Sequence, residues 1–168
     1  MTGLRFIQRE PALSLSKCQR VSRPQSNKES NKDNNMELET TLTPGLVREE
    51  SFTVEEKHTA YHIGSGDERV LGTPWMISFM ERVSNRLVAE YLSVEQISVG
   101  IHVDVRHLAA TPVNVQIRVR AEVLEVVKNR VKLAVEAWDD EEKIGAGTHT
   151  RAMVEKMRFM ERVKAKDK

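Results

Sequence analysis

The strongest pattern of apolar and polar positions is a helical one, between Pro74 and Leu92. Its apolar residues recur at spacings of three and four, which places them on one broad helix face: Trp75, Met76, Phe79, Met80, Val83, Leu87, Val88 and Tyr91. Thr73 is a residue type that caps helix N-termini, and Pro74 suits the first helical position, where no N–H is needed. The pattern therefore predicts one long helix whose apolar face must be covered by another element.

The remaining patterns are those of strands, in which apolar and polar residues alternate. Five strands are predicted: Glu49–His62, which is untidy, Ser98–His107, Val113–Val127, a run from Val131 to Ala137, and Ile144–Met157. Because the later strands are joined by short turns, we expect them to pair antiparallel. A curved sheet wrapped around the helix covers both apolar surfaces. The sequence therefore predicts an α+β protein of the hotdog architecture.

The composition of the chain changes at about residue 35. Met1–Asn35 is rich in Ser, Asn and Gln, and it carries seven Lys or Arg against three Asp or Glu. It has too little apolar surface to offset the entropy of ordering. We expect a disordered tail, or an over-long gene start if translation begins at Met36; a weak transit-peptide character is the alternative. The predicted hotdog domain spans residues 36–157, and residues 158–168 form a basic C-terminal tail.

Charge and cysteine content narrow the possible partners. The 168 residues carry a formal net charge of +1 at pH 7, so charge gives no reason to expect nucleic acid as a partner. No apolar run approaches the ~18 residues of a membrane span, so we expect no membrane association. The single cysteine, Cys18, permits no internal disulfide and no thiolate metal cluster. A reducing compartment fits this usage, and we expect a cytoplasmic protein.

His107 ends the strand that begins near Gly100. Strict alternation places His107 on the same side as Ile101 and Val105, facing the helix, and Gly100 on the opposite side. A histidine there needs a partner, because burying an unpaired polar group costs about 1–3 kcal/mol. Both a structural histidine and a catalytic one are consistent with this position.

Thr73 and Glu81 lie eight residues apart on the predicted helix. At 3.6 residues per turn they are about 12 Å apart along the axis and about 80° apart around it, so they do not form a hydrogen-bonded pair within one chain. Glu81 borders the apolar face, where a partly desolvated carboxylate can act as a base. A solvated carboxylate at Glu81 and a purely capping role for Thr73 are the alternatives.

The segment Gly145–Arg151 brings two glycines and an arginine late into the sheet. Glycines within a strand mark either a bulge or the close approach of a ligand. His149 stands alone in this segment, and no pair of histidines has metal-ligand spacing with a supporting carboxylate. We therefore predict no metal ion and no cofactor.

Three blocks together resemble the fluoroacetyl-CoA thioesterase-like family of hotdog proteins. They are TPWMISFME (Thr73–Glu81), VGIHVDVRHLAATP (Val99–Pro112) and EKIGAGTHTRA (Glu142–Ala152). Their order and spacing match the family, and the resemblance extends from about Met36 to Val154. It implies an enzyme, an acyl-CoA thioesterase that hydrolyses a thioester to free acid and CoA.

The resemblance also implies a set of site residues. The catalytic threonine, glutamate and histidine of the family fall on Thr73, Glu81 and His107. Two substrate-binding positions fall on Gly100 and Arg151. The resemblance further implies a homodimer with the active site near the subunit interface, and acyl-CoA as the substrate.

The chain departs from the family in the segment before the helix. The founding activity uses aromatic residues to gate a very small fluorinated acyl group, whereas Ile63–Gly72 contains no Phe, Tyr or Trp. We therefore expect a short or medium acyl thioester, with CoA or a carrier protein as the thiol. A non-catalytic acyl-CoA-binding hotdog module and a hotdog acyl-CoA hydratase are the alternatives, although the Asp/His-type motif of the hydratases is not found.

Overall fold

The computed structural model describes residues 41–166, and the predictions for residues 1–35 lie outside the described residues. The elements follow the order β1 (Val47–Thr53), a 3₁₀-helix (Glu56–His58), α1 (Thr73–Ala89), β2 (Gln96–His107), β3 (Gln116–Val127), β4 (Arg130–Trp138), β5 (Lys143–Glu155) and α2 (Lys156–Lys164). Neither α-helix in this range has the length and apolar character needed to cross a membrane.

The five strands form one antiparallel sheet in the order β1-β3-β4-β5-β2, and α1 packs across it. The buried residues of α1 are Met76, Phe79, Met80, Val83, Ser84, Leu87 and Val88. The buried apolar rows of β3 and β4 are Ile117, Val119, Ala121, Val123, Val131, Leu133, Val135 and Ala137. Helix and sheet thus bury each other's apolar faces, which is the α+β arrangement predicted from the two periodicities.

The start of α1 differs from the prediction in one respect. Gly72, in an extended conformation, is the N-cap residue, and Thr73 is already the first helical residue. Gly72 is closely packed, because a Cβ there would lie 3.0 Å from Cδ1 of Ile63 and 3.2 Å from the backbone nitrogen of Ala60. The predicted capping role of Thr73 is therefore wrong, and its hydroxyl group is available for another contact.

β2 contains a bulge that the alternation did not reveal. Gly100 pairs with Arg151 and His102 pairs with Thr150, so Ile101 is an extra residue between them. The bulge reverses the alternation and turns Gly100 toward α1, on the same side as His107. Ile101, which was predicted to face the helix, is 48% exposed. The predicted faces of Gly100 and Ile101 are therefore wrong.

The two ends of the described domain also differ from expectation. β1 ends at Thr53, well before His62, because the chain turns into the 3₁₀-helix, where the N–H of Glu55 donates to Nδ1 of His58. α2 covers Lys156–Lys164, in the region where a basic tail was expected, and its first turn is capped by the carboxylate of Glu155. The other strand ends lie within three residues of those predicted.

Candidate active site

Thr73 and His107 meet where α1 begins and β2 ends. Oγ1 of Thr73 lies 2.9 Å from Nδ1 of His107, within hydrogen-bonding distance. Nε2 of His107 is buried without a hydrogen-bond partner. Burial lowers the pKa of His107 below its usual range, because the charged ring is poorly solvated there. At neutral pH the ring is therefore mainly neutral and able to accept a proton.

Glu81 lies further along α1, where the helix passes over β2 and β5. Its Oε1 atom is 3.3 Å from Nε2 of His149, and its side chain is 43% exposed. A Cβ atom at Gly100 would lie only 2.6 Å from the same oxygen, so Gly100 provides the space that the carboxylate occupies. Glu81 thus lies at the boundary between helix and sheet, with part of its surface open to solvent.

The structure brings Thr73 and His107 together but keeps Glu81 away from them. In the pairing of β2 with β5, His107 lies opposite Gly145 and Val103 lies opposite His149. The two histidines are thus about four residues apart along the sheet, roughly 13 Å. The eight residues between Thr73 and Glu81 correspond to about 12 Å along α1.

Arg151 is buried beneath α1 and held at several points. Its Nε donates to Oγ of Ser98 at 2.9 Å, and its Nη2 donates to the Ser98 carbonyl and to Oδ1 of Asn85, each at 2.8 Å. Burial lowers the pKa of Arg151 and the nearby charge of Glu81 raises it, yet a guanidinium stays protonated. The predicted substrate-binding arginine is therefore a fixed positive charge close to Glu81.

His149 lies beside Glu81, although the sequence analysis did not predict it as a site residue. Its side chain is 1% exposed, and neither ring nitrogen makes an aligned hydrogen bond, although Nε2 is close to Glu81. Burial, followed by the charge of Arg151, lowers the pKa of His149 to about 4. The sequence did contain an indication of this position. His149 and Arg151 are two residues apart on a predicted strand, so His149 shares a face with a predicted substrate-binding residue.

The two glycines of β5 mark close packing. A Cβ at Gly145 would lie 2.5 Å from Sδ of Met76, and one at Gly147 would lie 2.0 Å from the carbonyl oxygen of Asp104. Gly145 therefore lets α1 approach the sheet, and Gly147 lets β2 approach β5. A β-bulge was one of the two interpretations of these glycines in the sequence. The structure has a bulge in the neighbouring strand β2, at Ile101.

An apolar cavity of about 360 Å³ opens beside the first turn of α1. It is lined by Ile63, Ser65, Pro74, Trp75 and Ser78. Pro74 and Trp75 directly follow Thr73, whereas His107 lines a separate pocket of about 230 Å³ together with Val70 and Leu108. The size and apolar lining of the larger cavity suit a small hydrophobic group.

Residues 54–157, well over half of the chain, match the model of the fluoroacetyl-CoA-specific thioesterase family. The chain belongs to this family. Among curated proteins, the fluoroacetyl-CoA thioesterase of Streptantibioticus cattleyicolor is 36% identical over 97 residues, which are 58% of this chain and 70% of that protein. The predicted acyl-CoA thioesterase class is thereby confirmed.

Solved structures agree with membership of the fluoroacetyl-CoA-specific thioesterase family. A variant of the fluoroacetyl-CoA-specific thioesterase in complex with fluoroacetate and CoA has a TM-score of 0.65 and 31% identity, covering 70% of this chain and 99% of that one. A hot-dog-like protein from Thermanaerovibrio acidaminovorans has a TM-score of 0.70 at 22% identity, covering 74% and 93%. Because the sequence identity of the second match is low, it shows similarity of fold only. The predicted hotdog fold is confirmed.

Proposed function

We propose that this protein hydrolyses short or medium acyl-CoA thioesters with Thr73, Glu81 and His107 as catalytic residues. Gly100 and Arg151 belong to the substrate-binding part of the proposal. The observation that carries it is the 2.9 Å contact between the Thr73 hydroxyl and Nδ1 of His107 at the N-terminus of α1. The proposal is further supported by the family to which the chain belongs.

The first turn of α1 suits the negative charge that develops on a thioester oxygen. The N–H groups of Trp75 and Met76 both donate to the carbonyl of Gly72, and Pro74 has no N–H. In this turn, therefore, the N–H of Thr73 is the group we assign to the oxyanion, aided by the positive end of the helix dipole. The neutral ring of His107 transfers the protons needed for water attack and for departure of the CoA thiolate.

Glu81 acts in this proposal as base or as nucleophile. As a nucleophile its carboxylate attacks the thioester carbon and forms an anhydride, while CoA leaves as the thiolate and takes a proton from solvent. Water then hydrolyses the anhydride, which releases the free acid and restores the Glu81 carboxylate. As a base it takes a proton from a water molecule that attacks the same carbon directly. Trapping of an acyl group on Glu81 supports the first course, and its absence in a competent trapping experiment supports the second.

A homodimer completes the proposed site. Because Glu81 lies about 12 Å along α1 from Thr73, we propose that Glu81 of one protomer approaches the Thr73–His107 pair of the other across the interface. β2 is an edge strand of the described sheet, and Ile101 and Val103 on it are 48% and 37% exposed. Pairing of two such edges covers both apolar groups and unpaired backbone. A monomer in sedimentation at assay concentration would contradict this.

The apolar cavity beside Thr73 supports the choice of acyl group. Ile63 and Trp75 offer apolar walls, and the cavity is open to solvent on one side, so it sets no narrow limit on the length of an acyl group. The absence of Phe, Tyr and Trp from Ile63–Gly72 also supports an acyl group other than the very small fluorinated one. A cytoplasmic location also belongs to the proposal, and it rests on the single cysteine of the chain.

The test is release of free CoA from a panel of acyl-CoA substrates of increasing chain length. We expect turnover by the wild type and a ~10²–10⁴-fold lower kcat for His107→Ala, because proton transfer is lost. His62→Ala is the control, since His62 is exposed and lies outside β2, the strand proposed to form the dimer interface. Absence of turnover from a folded dimer would contradict the proposal, and acyl-CoA binding without turnover would indicate the binding-module alternative.

A further inference from the structure

Two side chains of α1 face two side chains of β5 in a regular ladder. Glu81 and Asn85 are four residues apart on the helix, a rise of about 6 Å. His149 and Arg151 are two residues apart on the strand, a rise of about 6.7 Å. Because these distances nearly match, Glu81 lies against His149 at 3.3 Å and Asn85 lies against Arg151 at 2.8 Å.

In this ladder Arg151 makes three hydrogen bonds, whereas His149 makes none that is aligned. Arg151 is tied to Asn85 and also to Ser98 on β2. His149 is 1% exposed, and both of its ring nitrogens are without an aligned hydrogen bond. A buried polar group left unpaired costs about 1–3 kcal/mol, so a full set of contacts is expected once Glu81 takes its working position.

The chemistry of the pair fixes which atom donates. A carboxylate has only acceptor oxygens, so Nε2 of His149 must carry the proton that faces Glu81. Burial and the neighbouring Arg151 hold the ring neutral at pH 7, because they lower the pKa of His149 to about 4. A neutral ring has one N–H, so a hydrogen bond from His149 to the Glu81 carboxylate requires the Nε2–H tautomer.

Gly100 provides the third side of this arrangement. A Cβ atom at this position would lie 2.6 Å from Oε1 of Glu81 and 3.0 Å from Nε2 of His149. The bulge at Ile101 turns Gly100 toward the pair. The Glu81 carboxylate therefore lies in a gap between the bare backbone of Gly100 and the ring of His149, while 43% of its side chain stays exposed.

We propose that His149 is a positioning residue for the thioesterase reaction, and that its Nε2–H group holds the Glu81 carboxylate over Gly100 in the orientation required for attack. This inference rests on the catalytic role proposed for Glu81. His149 itself does not touch the substrate in this proposal, because it is enclosed between α1 and the sheet. Fixing a half-exposed glutamate removes its rotamer freedom before the substrate binds.

The test compares two substitutions of His149 for kcat, KM and thermal stability. Gln in His149→Gln offers an N–H donor near the Nε2 position, whereas His149→Leu fills the space without a donor. We expect kcat of His149→Leu to fall ~100-fold with KM nearly unchanged, because misplacement of a reacting group by about 1 Å costs this much. We expect His149→Gln to recover most of that loss. Met153→Leu, a buried change on the same face of β5, is the packing control.

Equal kcat values for the wild type and a folded His149→Leu would overturn the inference, as would a loss that His149→Gln does not recover. Where His149→Leu fails to fold, ¹⁵N NMR of the His149 ring in the wild-type protein decides. The inference requires the neutral Nε2–H tautomer at pH 7 and a changed Nε2 shift in Glu81→Gln; an Nδ1–H tautomer would contradict it. Because this measurement needs no turnover, failure of the thioesterase proposal in the acyl-CoA panel remains distinguishable.

Discussion

The Thr73–His107 and Glu81–His149 pairs each join α1 to the sheet through a histidine, but their surroundings differ. His107 lies at a strand end beside a hydroxyl at 2.9 Å and is half-buried. His149 lies within a strand, is 1% exposed and adjoins a buried arginine. Burial lowers both pKa values, but only His149 also meets a neighbouring cation. The comparison teaches that His107 suits proton transfer, whereas His149 suits holding a carboxylate.

The largest effect is expected from removing the charge of Glu81. Glu81→Gln keeps the shape of the side chain and its place beside Gly100, but it cannot act as base or nucleophile. We expect kcat on the preferred acyl-CoA to fall by ~10²–10⁴-fold, as for loss of a general base. Glu141→Gln, in the exposed β4–β5 turn, is the control. Activity of Glu81→Gln within a few-fold of the wild type would remove Glu81 from the mechanism.

A smaller effect is expected from filling the gap at Gly100. In Gly100→Ala the new methyl group meets Oε1 of Glu81 at 2.6 Å, so the carboxylate must move, whereas the Thr73–His107 contact is untouched. We expect kcat to fall by about 10²-fold, the cost of a displacement of about 1 Å. The control is Gly66→Ala, which adds the same group in an exposed loop. Unchanged kcat in Gly100→Ala would show that the gap does not position Glu81.

The sequence predicted the Thr73–His107 end of the site better than the Glu81–His149 end. The alternation of side chains correctly predicted that His107 faces the helix, because β2 is regular from His102 to His107. It failed for Gly100, because the extra residue at the bulge, Ile101, is apolar and continues the apparent alternation. A bulge changes which side residues face without changing their chemical pattern, so periodicity cannot detect it.

His149 was missed for a different reason. Its partner, Glu81, comes from another element, and the contact depends on how α1 lies across β5. The local pattern of apolar and polar residues predicts which residues of a strand or helix face the core. The position of the helix along the sheet depends on how their side chains pack together. The close approach at Gly145, where a Cβ would meet Met76 at 2.5 Å, helps to set that register.

The last effect is expected on stability in mild acid rather than on turnover. Because the folded pKa of His149 is about 4 and the unfolded value is near 6.5, the unfolded chain binds a proton between these values that the folded chain does not. His149 therefore contributes stability above pH 6.5, and this contribution is lost as the pH falls toward 4. We expect Tm to decrease over this window, and the decrease to be smaller in His149→Gln. An equal decrease in His149→Gln and in the exposed-site control His62→Gln would contradict this.

The bulge at Ile101 makes β2 a strand of two independently adjustable halves. Residues before it set the space available to Glu81, and residues after it set the orientation of His107. Deleting Ile101 would return the strand to strict alternation and turn one half over, so Gly100 and His107 could no longer both face α1. A single inserted residue thus allows both Gly100, which has no side chain, and the imidazole of His107 to face α1 from the same edge strand. Substitutions in either half can therefore tune one part of the reaction while leaving the other in place.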